Sequence, residues 1–247
     1  MHSPVEQFAI KVLFALNLFG FDIQFTNSSL FMVLAVLVSS AFLYFAMAPA
    51  ATVPGRMQGL AEMLYEFVSV MVRSNVGSEG RPYFPFVFTL FVFVLFSNLL
   101  GLIPYSYTTT SQIIVTFAMA MFIFIGVTLI ALFKHGLHFF SFFVPAGAPK
   151  VLIPFLVLIE VISYFVRPVS LSVRLFANML AGHTMLKVFG GLAVMIASAG
   201  GVFVAGSILP LVAIVGLTGL EILVAVLQAY VFTILTCMYL NDALHLH

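Results

Sequence analysis

Apolar residues run almost unbroken from Leu30 to Ala48, from Phe84 to Ile103 and over residues 112–133. Each run is about long enough to cross the roughly 30 Å hydrocarbon layer of a bilayer, so the pattern predicts membrane-spanning helices over 28–48, 84–103 and 112–133. Pro49 and Pro54 end the first, Pro82 and Pro85 open the second, and Pro104 closes it, since proline cannot donate to a helical ladder. Residues 56–81 read differently. Arg56, Glu62, Glu66, Arg73, Glu79 and Arg81 interrupt the apolar positions there, which predicts an amphipathic helix and loop on the membrane surface. Residues 1–27 mix Lys11, Asn17 and Asp22 with apolar positions, a pattern that predicts a short interfacial helix, with Asn27 and Ser28 capping the first span. The stretch Tyr105 to Ser111 is polar and uncharged. Lys134, His135, His138 and Lys150 mark a second charged loop, broken by Pro145, Gly147 and Pro149.

The remainder, 151–240, does not divide into ordinary spans. Val151 to about Phe189 and about Val202 to Leu240 read as two long helices, separated by a region holding Gly190-Gly191 and Gly200-Gly201. At 1.5 Å per residue each is roughly 58 Å long, about twice the hydrocarbon thickness. Each must therefore tilt by about 60° from the membrane normal or leave the membrane. Pro168 is expected to bend the first near the carbonyl of Tyr164. The expected fold is an all-α integral membrane protein, a single domain over 1–247. It has about five membrane passes plus an amphipathic surface helix, and ends in a long, steeply tilted two-helix hairpin.

Composition agrees with that class. With 63% hydrophobic and 7% charged residues, the 247-residue chain has too little polar surface to cover a soluble domain, and its partner is the lipid bilayer. The net charge of +1 gives no reason to expect nucleic acid. The start lacks a basic segment before an apolar core, so no cleaved signal peptide is expected. Arg56, Arg73, Arg81, Lys134 and Lys150 lie in two loops on one side, against Lys11 on the other. That asymmetry places the charged loops and the C-terminus in the cytoplasm or matrix and the N-terminus outside, with Lys187 as the discordant charge. No internal repeat is visible, which counts against transporters built from inverted halves. Cys237 stands alone and is expected to be inert. The His135/His138 and His245/His247 pairs lack accompanying carboxylates or thiols, so neither a metal nor a cofactor is expected.

Chemistry concentrates in the hairpin. Glu160, Arg167 and Arg174 recur every seven residues, and Asn178 follows Arg174 by four, so the four share a helical face. Glu221 and Gln228 share a face of the second helix. A charge at the bilayer centre costs about 2.5–3.5 kcal/mol on insertion scales, so such groups mark an ion path or a buried partner. In an antiparallel hairpin opposed residues have a constant sum of numbers, and pairing His183 with Glu221 or Arg174 with Gln228 centres the turn near Gly200-Gly201. The same register sets Glu160 beside Asn241 and Asp242. Arg167 is open between a structural tie and a functional charge, and Asn98 between an interhelical hydrogen bond and a role in the path. His183 and Glu221 suit a proton relay.

The stretch Ser170-Leu-Ser-Val-Arg174-Leu-Phe-Ala-Asn178-Met-Leu-Ala-Gly-His183 resembles a signature of the subunit a family of F-type ATP synthases. So do Ser97-Asn98-Leu-Leu-Gly-Leu-Ile-Pro-Tyr105 and Gly219-Leu-Glu221 with Gln228-Ala-Tyr230-Val-Phe. The likeness covers nearly the whole chain, from Ser3-Pro-Val-Glu-Gln-Phe8 onward, and the His183/Glu221 arrangement is similar to the alphaproteobacterial and mitochondrial branch. It implies a stator proton-channel subunit with no catalytic chemistry of its own. Its implied partners are the c-ring proteolipids, b-type peripheral-stalk subunits and the other synthase subunits. By motif, Arg174 is the essential ion-path arginine facing ring carboxylates. The resemblance implies that His183 and Glu221 line the outer half-channel with Asn98 close by, that Gln228 sits beside Arg174, and that Glu160 belongs to the inner half-channel. The resemblance places the chain in a bacterial plasma membrane or a mitochondrial inner membrane. The principal rival is a membrane subunit of a redox-driven proton pump, which should show quinone or haem features. An intramembrane hydrolase lacks its nucleophile here, and a passive scaffold leaves the polar stripe unexplained.

Overall fold

The computed structural model describes residues 10, 12–18, 21–48, 51, 53–103, 106–143, 152–200 and 203–245. Lys11, Pro49, Pro104, Tyr105, Pro145, Gly147, Pro149, Lys150, Gly201, Val202 and His247, which carry expectations above, lie outside the described residues. Among the described residues five helical segments are long and apolar enough to cross a membrane, and the chain is a multi-pass membrane protein. The helices are α1 (Asn27–Met47), α2 (Arg56–Val76), α3 (Phe84–Gly101), α4 (Ile113–His135), α5 (Ile153–Ser198), α6 (Phe203–Gly206) and α7 (Ile208–Leu244).

The N-terminal expectation of a short helix is corrected. Val12–Leu18 (β1) and Phe21–Thr26 (β2) pair as antiparallel strands. The reason is visible in Phe21-Asp22-Ile23-Gln24-Phe25-Thr26, which alternates apolar and polar with the period of a strand. The cap of α1 also moves by one position: the Ser29 amide donates to Thr26 Oγ1 at 3.3 Å, so the last strand residue opens the helix. The amphipathic segment is as expected through Val76. Gln58, Ala61, Val68, Met71, Val72 and Val76 bury one face of α2, while Arg56, Glu62, Glu66 and Arg73 stay exposed. Gly77, at φ 78°, then ends the helix, and a 3₁₀ turn over Ser78–Tyr83 leads into α3.

In the C-terminal pair, Gly190-Gly191 does not interrupt α5, which runs 46 residues to Ser198. Two glycines cost about 1 kcal/mol each in a helix interior, whereas unsatisfied backbone groups in lipid cost several each, so the helix continues. The break comes at Gly200, whose φ of 72° is the left-handed conformation that favours glycine. At roughly 69 Å for α5 and roughly 56 Å for α7, both exceed the hydrocarbon thickness. They must run obliquely or extend beyond it.

The chain falls into two compact units, one from Met1–Phe45, Val92–Gln112 and Leu175–Ala229, the other from Ala46–Phe91, Ile113–Arg174 and Tyr230–His247. In the first, Phe42 meets Phe96 with ring centroids 5.6 Å apart, and the polar residues Thr108, Thr109, Thr110 and Ser111 are all buried. Burial also pushes the phenol of Tyr107, in the same loop, above its ordinary range. In the second, α4 and α5 are joined by two hydroxyl contacts, Thr116 to Ser172 at 3.1 Å and Thr128 to Tyr164 at 2.7 Å. Aromatic packing of Phe67 against Phe91 and Tyr230, each at 5.7 Å, seats α2 in the same unit.

Candidate functional site

The first unit carries a closed polar cluster around His183. Its Nε2 lies 2.8 Å from the Gly101 carbonyl oxygen and 2.9 Å from Thr108 Oγ1. Its Nδ1 lies 3.1 Å from the Met179 carbonyl oxygen and 3.4 Å from Glu221 Oε1. The pairing of His183 with Glu221 expected from the hairpin register is therefore present. Neutral imidazole has a single N–H and can donate on one of these two sides, while the protonated ring donates on both. Glu221 is buried, its Oε1 3.4 Å from His183 Nδ1, a contact that is an ion pair when the ring is protonated, and among the described residues neither carboxylate oxygen makes a hydrogen bond. A buried carboxylate left this way is costly unless charge or a proton comes to it.

Two glycines permit this closeness. A Cβ on Gly182 would collide with Glu221 Oε1 and come within 3.0 Å of its Cδ. A Cβ on Gly101 would stand 2.6 Å from Thr108 Cγ2. Neighbouring Asn98, wholly buried, donates to the Ala225 carbonyl at 3.1 Å and accepts from Thr110 Oγ1 at 2.8 Å. It thus makes the interhelical hydrogen bond that was one of its two readings. Gln228, one of the residues expected to line the path, is buried on α7, and Asn178 is exposed on α5.

The second unit carries the arginines. Arg174 is exposed on α5, and no described carboxylate makes an ion pair with it. Arg167 is held: its Nη1 donates to Asp242 Oδ2 at 2.9 Å, and its guanidinium lies 5.4 Å from the Tyr164 ring centre and 5.3 Å from that of Tyr239. These groups line a small open pocket with Phe124 and Phe139. Asp242, which the register set beside Glu160, is paired with Arg167. Constant-sum arithmetic presumes parallel axes and ignores charge, whereas a carboxylate gains from a guanidinium between two ring faces and is repelled by another carboxylate. Glu160 is half-buried in the same unit. Heptad spacing drifts about 20° per repeat around an α-helix, so Arg167 and Arg174 need not present alike.

Thr108, Gly101, Tyr164 and Tyr239 were not among the residues singled out from sequence. The run Thr108-Thr109-Thr110-Ser111, hydroxyls between two apolar spans, was the available signal for the first. The tyrosines look like ordinary aromatic packing until Arg167 is placed.

Residues 29–241 match the family model described as ATP synthase A chain. The chain is 56% identical to ATP synthase subunit a of Rhodospirillum rubrum over 247 residues, covering 100% of both. It is 53% identical to that of Rhizobium rhizogenes over 244 residues, 99% of this chain and 98% of the relative. It is 56% identical to that of a Chelativorans species over 243 residues, 98% of each.

The buried Asn98 generates a stability prediction. Asn98→Leu leaves the Thr110 hydroxyl without its acceptor in a dry site, and should destabilise the protein by about 1–3 kcal/mol. A detergent-solubilised unfolding midpoint equal to that of the parent would show that the hydrogen bond carries no such weight.

Proposed function

This chain belongs to the ATP synthase A chain family, the proton-channel stator subunit of the F-type ATP synthase, and we propose that Arg174 is the charge that separates its two proton half-channels. As such it is part of a multi-subunit synthase, and a redox-driven pump is not favoured. The observation that carries the proposal is an exposed arginine, without a described carboxylate in ion-pair range, on a helix that crosses lipid. A guanidinium keeps its proton throughout, and we take its countercharge to come from another chain.

The partner we assign is a ring of small proteolipids, each with one membrane carboxyl group. A carboxylic acid moving through lipid stays neutral because the ionised form is too costly there. Beside Arg174 the ionised form is favoured. At an effective dielectric near 20, opposite charges about 4 Å apart gain roughly 4 kcal/mol, about a thousandfold in the ionisation equilibrium. A ring carboxyl thus sheds its proton on one side of Arg174 and takes another on the far side. The fixed charge also repels protons from passing directly between the half-channels, and transport is coupled to rotation.

In this reading His183 and Glu221 deliver protons from the outer side, with Asn98 holding the surrounding helices. Asn178 and Gln228 accompany Arg174, and Glu160 serves the inner half-channel. The remaining partners are the b-type peripheral-stalk subunits, which must keep the stator from turning with the ring. The charge asymmetry of the loops assigns the N-terminus to the outside and the C-terminus to the cytoplasm or matrix, across a bacterial plasma membrane or mitochondrial inner membrane.

Arg174→Ala should abolish ATP-driven proton pumping while the complex still assembles, because one electrostatic gate is lost and no packing. Pumping near the parental rate in membranes carrying the substitution would show Arg174 to be structural.

For the relay pair, His183→Ala or Glu221→Ala should each slow proton delivery from the outer side, since either change strands a buried group without its partner. The exchange of His183→Glu with Glu221→His keeps one acid, one imidazole and their contact. It should recover more activity than the two single losses combined would predict, as groups in contact couple in a double-mutant cycle. Simple additivity would mean that the two act independently.

A further inference from the structure

The Gly101 carbonyl oxygen ends α3, where a helix leaves its last carbonyls without intrahelical donors. Three groups that can donate converge on it: His183 Nε2, when that nitrogen carries a proton, at 2.8 Å, Ser106 Oγ at 3.0 Å and Thr108 Oγ1 at 3.2 Å. A carbonyl oxygen has two lone pairs, so one donor is in excess, and the longest bond is that of Thr108. The same hydroxyl is 2.9 Å from His183 Nε2. Of the four groups set out around the ring, the Gly101 and Met179 carbonyls accept only, and so does Glu221 when ionised. Thr108 alone has a hydrogen that it can turn toward the imidazole.

We propose that Thr108 is a proton-path residue that serves as a hydroxyl switch on His183 Nε2, holding that nitrogen in both of its protonation states. This rests on the reading of His183 as a carrier on the outer side. Before uptake, Nε2 is bare and faces the Gly101 carbonyl, which repels its lone pair; the Thr108 O–H points at Nε2 and satisfies it. A hydrated proton then arrives, one N–H bond forms at Nε2 and water is released. The Thr108 hydrogen swings to the Gly101 carbonyl, and its oxygen accepts from the new N–H. No bond of Thr108 is broken. The proton on Nδ1 is left beside the Glu221 carboxylate, 3.4 Å away. The titratable group facing the ring from α7 is Glu221, while α3 and the loop after it bring the uncharged Gly101 carbonyl and Thr108 hydroxyl.

The switch predicts a hydroxyl requirement that depends on pH. In the whole synthase reconstituted into vesicles, Thr108→Val keeps the side-chain shape and should slow proton flux from the outer side about five- to tenfold, the worth of one hydrogen bond. Without the hydroxyl the bare ring is destabilised relative to the protonated one, so release from His183 slows. The deficit should be full at low outer pH, where the ring is protonated and release sets the rate, and shrink as outer pH rises, where uptake sets it. Thr108→Ser, which loses the methyl group but keeps the hydroxyl, should stay within about twofold of the parent. If Thr108→Val fails to assemble, Gly101→Ala displaces the same hydroxyl and should give the same pH-dependent deficit. In a His183→Ala background, Thr108→Val should add nothing. A deficit that is independent of pH, full rates in Thr108→Val, or losses that add in the double variant would each overturn the switch. His183→Ala at the parental rate would instead overturn the reading of His183 on which the switch rests.

Discussion

A full positive charge cannot stand alone in hydrocarbon, and the placement of Arg174 turns on that constraint. The two arginines on α5 meet it in different ways. Arg167 is paired within the chain, by Asp242 and the faces of Tyr164 and Tyr239. Arg174 is exposed, with no described carboxylate in reach. The two arginines, seven residues apart on one helix, thus differ in surroundings, and that difference is what supports the proposal that Arg174 is the working charge. Arginine suits the second role because it cannot escape the cost of lipid by losing its proton, as lysine can.

The same logic explains the cluster around His183. Buried polar groups are tolerable when bonded, and here a helix-end carbonyl, a run of hydroxyls and an amide side chain share the work. Glu221 is the exception, with its oxygens short of partners. Glycines at 101 and 182 let these groups approach where any Cβ would keep them apart. The arrangement brings an imidazole and a carboxylate into contact within a buried site, as the proposed relay requires.

Much of this was legible in the chain. The spans followed from apolar run length, the amphipathic helix from interspersed charge, and the contact of His183 with Glu221 from the turn at Gly200. What was not legible depended on alternatives of similar energy or on three-dimensional encounter. Phe21 to Thr26 alternates with strand period inside a segment whose overall polarity also suits an interfacial helix, and the shorter period prevailed. Gly190-Gly191 looked like a breaker because glycine propensity is measured in water, where an interrupted backbone can be solvated. Asp242 could not be assigned to Arg167 by counting, because a long flexible side chain reaches beyond its nominal register. Thr108 sat in a loop noted only as polar, and its contact with the ring nitrogen needed the folded chain.

The central claim is that Arg174 blocks direct proton passage between the half-channels. It is tested most directly by passive proton flux through the membrane sector in vesicles, with the ring carboxyls modified by a carbodiimide so that the ring cannot turn. The parent should be proton-tight under an imposed potential, and Arg174→Ala should leak at a rate that does not depend on rotation. A membrane sector that stays equally tight after Arg174→Ala would contradict the account.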